Sequence, residues 1–197
     1  MKSQNLQYSE PIHSLPPGHE RAMMSLDERL LLYALVYAFQ PQRALEIGFA
    51  KGGSACIIAA AMHSRGLGQF VSIDPAPDIP PELARHPRFH CMCGKSPEAV
   101  PLAAKALGGT VDFCFIDGNH NEDQVYADSV AVTACLSSVG YILYHDSYYP
   151  PVARGIARFL KEYSDFSDGG TLARFGGHTN GEHYGGLRLL GRVNMVP

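Results

Sequence analysis

The sequence predicts an α/β fold built on a mostly parallel sheet, and three observations carry that expectation. Short runs rich in β-branched, aromatic and cysteine residues alternate along the chain with segments of helical spacing. A glycine-containing turn joins the first such run directly to a helix. Two later runs end in acids and histidines, which an open parallel sheet would bring to one rim.

Taken in order, a Pro-rich lead-in gives way to Ser25, Leu26, Asp27 and Glu28, which read as a capping box. In such a box the serine hydroxyl and the glutamate carboxylate satisfy free amides ahead of a helix, here expected over 29–39 and stopped by Pro41. A buried-strand pattern follows at 44–48, then a glycine turn and a small-residue helix over 54–63. Strands are expected at 69–74, 89–94 and 111–118, with the proline-rich stretch 75–81 breaking the chain after the first of these. Helices are expected at 97–107 and 122–136. Gly140 sits where a helix C-terminal glycine belongs, before a fifth strand at 141–146 and a helix over 152–163. The Gly-rich tail from 164 ends in a final strand at 186–191, expected to pair as a hairpin with 171–175.

The chain is read as one domain of 197 residues: a lead-in and helix at 1–40, a ligand-binding core at 41–163, and C-terminal strands and loop at 164–197. A formal charge of -3 without a basic run leaves no electrostatic footprint for nucleic acid. The polar start lacks the apolar core of a signal peptide and no later stretch stays apolar long enough to span a bilayer, so a cytoplasmic protein with no membrane partner is expected. Five cysteines, an odd number set mostly within apolar segments, read as reduced thiols. The helix at 29–39 suits a homodimer contact as well as a cover for the sheet.

The turn Glu46, Ile47, Gly48, Phe49, Ala50, Lys51, Gly52, Gly53, Ser54 is the decisive segment. Gly48 and Gly52 are expected to let backbone approach a ligand, and the amides at the start of the following helix to attract a carboxylate such as that of a methionine. A dinucleotide fingerprint would place its middle glycine at position 50, where this chain has Ala50. Glu46 is expected either to receive an amino-acid ammonium or to brace the loop. Asp74, closing the second strand, is placed to accept hydrogen bonds from ribose hydroxyls. Lys95 and Ser96 end the third strand, and Ser96 also suits a helix N-cap. Asp117 with His120, and His145 with Asp146, end the fourth and fifth strands and read together as a metal or acid-base site. Asp128 reads as a solvated or helix-pairing acid, and Arg154 as a surface residue.

These residues, from Glu46 through Ser54, Val71 to Asp74, Phe115 to Gly118 with His120, Asp128, and His145 with Asp146, together resemble the small class I methyltransferases. More narrowly the chain resembles the cephalosporin-hydroxylase-like and macrocin O-methyltransferase-like group, and more distantly the catechol O-methyltransferases. The resemblance runs from about Gly18 to Arg158. It implies a Rossmann-like three-layer sandwich with a seven-stranded sheet and an antiparallel final strand. It implies S-adenosylmethionine as cofactor, with Glu46, Gly48, Gly52 and Ser54 around the methionine part, Asp74 at the ribose, and Lys95 and Ser96 beside the adenine. It also implies a divalent metal held by Asp117 and Asp146, with His145 or His120 completing the set. The presence of His145 and His120 there leaves magnesium, a softer transition ion, or no metal open.

Methyl transfer from an activated sulfonium needs chiefly an acceptor oxygen held in line. The acceptor proton then goes to a base poised near neutrality, for which His145 or His120 is the candidate, or its pKa is lowered by a cation; Asp117 is required on either route. Tyr148, Tyr149 and His183 are candidates for the wall of a small-molecule acceptor site. The competing readings are a nicotinamide-dependent oxidoreductase, a metal-assisted hydroxylase, and a cofactor-binding module without catalysis.

Overall fold

The computed structural model describes residues 15–64, 66, 68–173, 178–179 and 182–193. A 3-10 turn at His19–Arg21 precedes α1 (Leu26–Phe39), β1 (Arg43–Ile47), α2 (Gly53–Ser64), β2 (Gln69–Asp74), α3 (Pro81–Ala84) and β3 (Phe89–Cys93). Then come α4 (Val100–Ala106), β4 (Val111–Ile116), α5 (Glu122–Cys135), β5 (Leu136–Tyr144), α6 (Pro150–Glu162) and β6 (Phe166–Thr171). The two-residue strands β7 (His178–Thr179) and β8 (Glu182–His183) pair with each other, and β9 (Arg188–Val193) ends the series.

Seven strands form one sheet in the order β3-β2-β1-β4-β5-β9-β6. The first five in chain order run parallel, while β9 lies antiparallel between β5 and β6. The chain steps outward from β1 to β2 and β3, then returns to β4 on the other side. The strand order therefore reverses between β1 and β4, and a crevice opens at their carboxyl ends.

Alternation along the strands sorts the core into two layers. Leu45 and Ile47 of β1 pack with residues of α4, α5 and α6, among them Val100, Val125, Ile156 and Phe159. Ala44 of β1 belongs instead to the layer of α1 and α2, with Leu32, Val36, Ile57 and Ile58. The expected mostly parallel, Rossmann-like three-layer sandwich is what the chain forms. No helix among the described residues is long and apolar enough to cross a membrane.

The capping box is realised as expected: the Ser25 hydroxyl accepts the Glu28 amide, and the Glu28 carboxylate accepts the Ser25 amide at 2.7 Å. Three local expectations need correction. Gly140 is not a helix cap but lies inside β5, because α5 passes into the strand through an extended Leu136 that needs no left-handed residue. Ser96 is not the N-cap of α4, which begins at Val100 behind an uncapped Ala99. The last strand begins at Arg188 and pairs with β6; of the expected partner 171–175, Thr171 pairs with Arg188 and the Leu172 amide donates to the Leu187 carbonyl at 2.7 Å, while 174 and 175 lie outside the described residues. That register is held by ion pairs of Arg188 with Asp168 and Arg192 with Asp165.

Candidate active site

A cavity of about 600 Å³ fills the crevice, lined by the glycine turn, Asp74, Gly94 to Ser96, Asp117 to His120, and His145 with Asp146. Residues 21–23, just ahead of α1, also line it. Of the expected constellation, all but Glu46 and Gly52 line this one space, although its members do different work.

The two glycines serve the protein's own backbone. At Gly48, with φ of +92°, a Cβ would lie 2.1 Å from the carbonyl oxygen of Asp117. At Gly52, with φ of +73°, it would meet the Phe49 ring at 2.6 Å and Pro80 at 2.8 Å. Gly48, which itself lines the cavity, lets the ends of β1 and β4 close on each other, and Gly52, outside the lining, folds the turn over Phe49. Asp74 then pins the loop. Its Oδ2 accepts the amides of Phe49 at 3.0 Å and Ala50 at 2.8 Å, and its Oδ1 accepts that of Ala76 at 2.8 Å. A carboxylate has about four acceptor positions, so roughly one remains for a ligand hydroxyl.

Glu46 does not line the cavity. It shares the strand face of Ala44, which turns it beneath α2, where it is fully buried. There the Ser54 hydroxyl donates to it at 2.6 Å and the Ser72 hydroxyl donates to its other oxygen. Burial pushes its carboxyl up to about 8, against the opposing pull of the two hydroxyls. Of the two roles expected for Glu46, ammonium receptor or brace, the geometry supports bracing, acting on Ser54 and Ser72. Ser54 itself, in the first turn of α2, does line the cavity, as do Lys95 and Ser96. First-turn helix amides have no partner within the helix, and here they border the cavity.

The strand-end cluster is larger than the sequence suggested. His145 is buried at 4% exposure, with Nδ1 3.2 Å from Asp117 Oδ1 and 3.4 Å from Asp146 Oδ2. Its Nε2 lies 3.6 Å from Oε1 of Glu28, a residue assigned from sequence only to capping. Glu28 also accepts the Gly186 amide, and Asp146 Oδ1 accepts that of Gly185 at 2.5 Å, so the turn before β9 is tied to the same cluster. On the outer side, His120 Nε2 lies 2.9 Å from Asp146 Oδ2 and 3.7 Å from Asp117 Oδ1.

Charge pairing dominates here. Burial raises the carboxyls of Glu28, Asp117 and Asp146, yet the adjoining imidazoles outweigh it: Glu28 is held at about 2, and both aspartates lie below their usual range. The histidines move the other way. The carboxylates of Asp117 and Asp146 bring His120 to about 9, and those of Asp117, Asp146 and Glu28 overcome burial to raise His145 well above the ordinary imidazole value. Both imidazoles are thereby shifted toward the protonated form, away from the range expected of a base poised near neutrality.

Metal-ligand geometry separates the two histidines. The donor atoms of Asp117, His120 and Asp146 all lie within 4.8 Å of one another, whereas both nitrogens of His145 are turned toward carboxylates. Of the two histidines, His120 is the one whose donor atom falls in that set, and its buried Nε2 makes no aligned hydrogen bond. Two carboxylates and one imidazole fit a divalent ion, and the nitrogen favours a transition ion over magnesium.

A second groove of about 480 Å³ shares Asn119 and His120 with the first. Tyr149 and Tyr184, stacked at 4.6 Å, form its wall with Pro151 and Arg154, and Arg154 is paired with Glu122 at 2.5 Å. Tyr149 stands where expected, and Tyr184 went unrecognised. Tyr148 instead donates to the Ala173 carbonyl at 3.0 Å, and His183 lies outside the groove lining. Asp128 is not solvated but fully buried.

Comparison with curated proteins gives no match. Among solved structures the chain is similar to the O-methyltransferase TomG of Streptomyces achromogenes, determined with SAM, at TM-score 0.70 and 18% identity over 90% of this chain and 86% of that one. It is also similar to an O-methyltransferase of Bacillus cereus in complex with SAH, at TM-score 0.67 and 18% identity over 85% and 82%. A third is the SAH-bound methyltransferase PaMTH1 of Podospora anserina, at TM-score 0.60 and 19% identity over 85% and 79%. At these identities the likeness is one of fold. A family model described as a methyltransferase domain matches residues 45–147, just over half the chain and the whole stretch from the first strand to the cluster, and the chain belongs to that family.

Proposed function

We propose that this methyltransferase uses S-adenosylmethionine to methylate a hydroxyl of a small molecule, with a divalent ion held by Asp117, His120 and Asp146. The observation that carries the reading is that one cavity joins the pinned glycine turn to that acidic cluster. Ser54 and the free amides of α2 suit an amino-acid carboxylate, and the remaining acceptor position of Asp74 suits a ribose hydroxyl. The structural neighbours named with SAM or SAH support the same cofactor.

An ion bound at the cluster would lower the pKa of an acceptor hydroxyl and fix its position. The chain's own residues do the rest. Asp117 joins the two ends of the cavity, since its amide bonds to Ile47 at 2.8 Å while its carboxylate faces both histidines. His145 is locked by three carboxylates and holds Asp117 and Asp146 in place. The Tyr149 and Tyr184 groove brings an acceptor to His120 from the side away from the glycine turn.

Binding and chelation test the reading. S-adenosylhomocysteine should raise the melting temperature and a nicotinamide dinucleotide should not. Methyl transfer from labelled donor to a metabolite extract should disappear on chelation and return with manganese or zinc. Stabilisation by the dinucleotide alone would overturn the cofactor, and transfer indifferent to chelation would remove the ion.

A further inference from the structure

Gln124, in the first turn of α5, lines the cavity on the side of Gly94 to Ser96 and has no role in the chemistry described so far. Its side-chain nitrogen is 3.0 Å from the Ser96 carbonyl oxygen and 2.8 Å from Asp128 Oδ1. Both partners only accept hydrogen bonds, so the amide orientation is dictated: the NH2 must face them, and both of its protons are used. The Gln124 Oε1 is left, and it receives no hydrogen bond among the described residues. Asp128 belongs to this device. An acid with 0% exposure inside a helix is costly, and its contact with Gln124 one turn earlier accounts for its orientation.

We infer that Gln124, oriented by Asp128 and the Ser96 carbonyl, reads the exocyclic amino group of the cofactor's purine and so selects a 6-amino over a 6-oxo base. The inference rests on the S-adenosylmethionine reading, in which Lys95 and Ser96 adjoin the adenine. An acceptor that cannot turn into a donor rewards an amino group. It is set against a carbonyl oxygen when that group is replaced by oxygen, and its own geometry cannot relax without breaking two hydrogen bonds. Gln124 is the specificity residue, and Asp128 is a positioning residue that acts through it.

The test is calorimetric titration of the full chain with S-adenosylhomocysteine and with S-inosylhomocysteine, its 6-oxo counterpart. The wild type should bind the adenosyl compound about ten-fold more tightly or better. In Gln124→Met, which keeps the length of the side chain and loses the acceptor, the preference should shrink to within about two-fold. Thermal unfolding of the unliganded variant reports whether it is folded, and if it is not, the two-ligand comparison on the wild type decides alone. Equal affinities, tighter binding of the inosyl compound, or a preference that survives in folded Gln124→Met would overturn the assignment while leaving the cofactor reading intact. Binding of neither compound would overturn both.

Discussion

The glycine turn and the strand-end cluster face each other across one cavity, and they are stabilised in opposite ways. At the turn, neutral backbone groups are satisfied by the protein itself: Asp74 takes three loop amides, and the Gly48 backbone rests against the Asp117 carbonyl. At the cluster, three carboxylates are set against two imidazoles, and the Nε2 atoms of both histidines are buried without an aligned partner. The first region takes its shape from the protein's own bonds and leaves only the first-turn amides of α2 and one acceptor position of Asp74 toward the cavity. The second holds charges in a state that a bound cation or reacting group would complete, which is how a fold stores catalytic potential without unfolding.

Asp117 belongs to both regions, so changing its side chain alone separates them. Asp117→Asn keeps the backbone contacts with β1 but removes a charge facing both histidines. Methyl transfer should fall by at least about 100-fold, while affinity for S-adenosylhomocysteine changes far less. Single-turnover transfer beside calorimetry measures the two effects, and a variant that keeps transfer would break the division.

The converse substitution is Gly48→Ala, which leaves every charge in place. A Cβ 2.1 Å from a backbone oxygen, added to a left-handed φ, should cost about 4 kcal/mol of stability. Urea unfolding reads it directly, and a variant as stable as the parent would show that the turn is pliant instead of fixed.

Glu46→Gln sharpens the comparison by pH. The native carboxyl keeps its proton up to about 8, whereas in the unfolded chain it loses it near its ordinary 4.5. Between those values the folded state binds more protons, so Glu46 makes stability decline as pH rises from about 4.5 to about 8. The slope is at most roughly 1.4 kcal/mol per pH unit. Removing the carboxyl should flatten unfolding free energies measured across that window, and an unchanged slope would place its origin in the cluster instead.

Legibility in the sequence followed the range of the interaction. The capping box, the alternation along the strands and the glycine turn each depend on residues a few positions apart, and all three were readable. The local pattern also misled where it had a sufficient local explanation: Glu28 was accounted for by the cap, so its second contact, with His145 more than a hundred residues away, left no signal. Gly140 looked like a cap because helix termini favour glycine, yet α5 runs straight into β5, and the glycine lies in the irregular start of that strand, where a Cβ would come within 2.8 Å of the Leu136 side chain. Asp128 read as a solvated or helix-pairing acid and Gln124 was not singled out, because nothing near them in sequence shows that the Ser96 carbonyl sits against their helix.

By itself the sequence determined the layer order, the parallel sheet and the collection of Gly48, Asp74, Asp117, His120, His145 and Asp146 at one rim. Hydrophobic period and turn chemistry are local, and chain reversal puts the carboxyl ends of parallel strands on the same side. Tertiary structure alone decided which direction each polar side chain faces: Glu46 inward beneath α2, His145 toward Glu28, His120 toward Asp146 and Asp117. Those choices depend on how burial and opposing charges balance at distances of a few ångströms, between residues that only folding brings together.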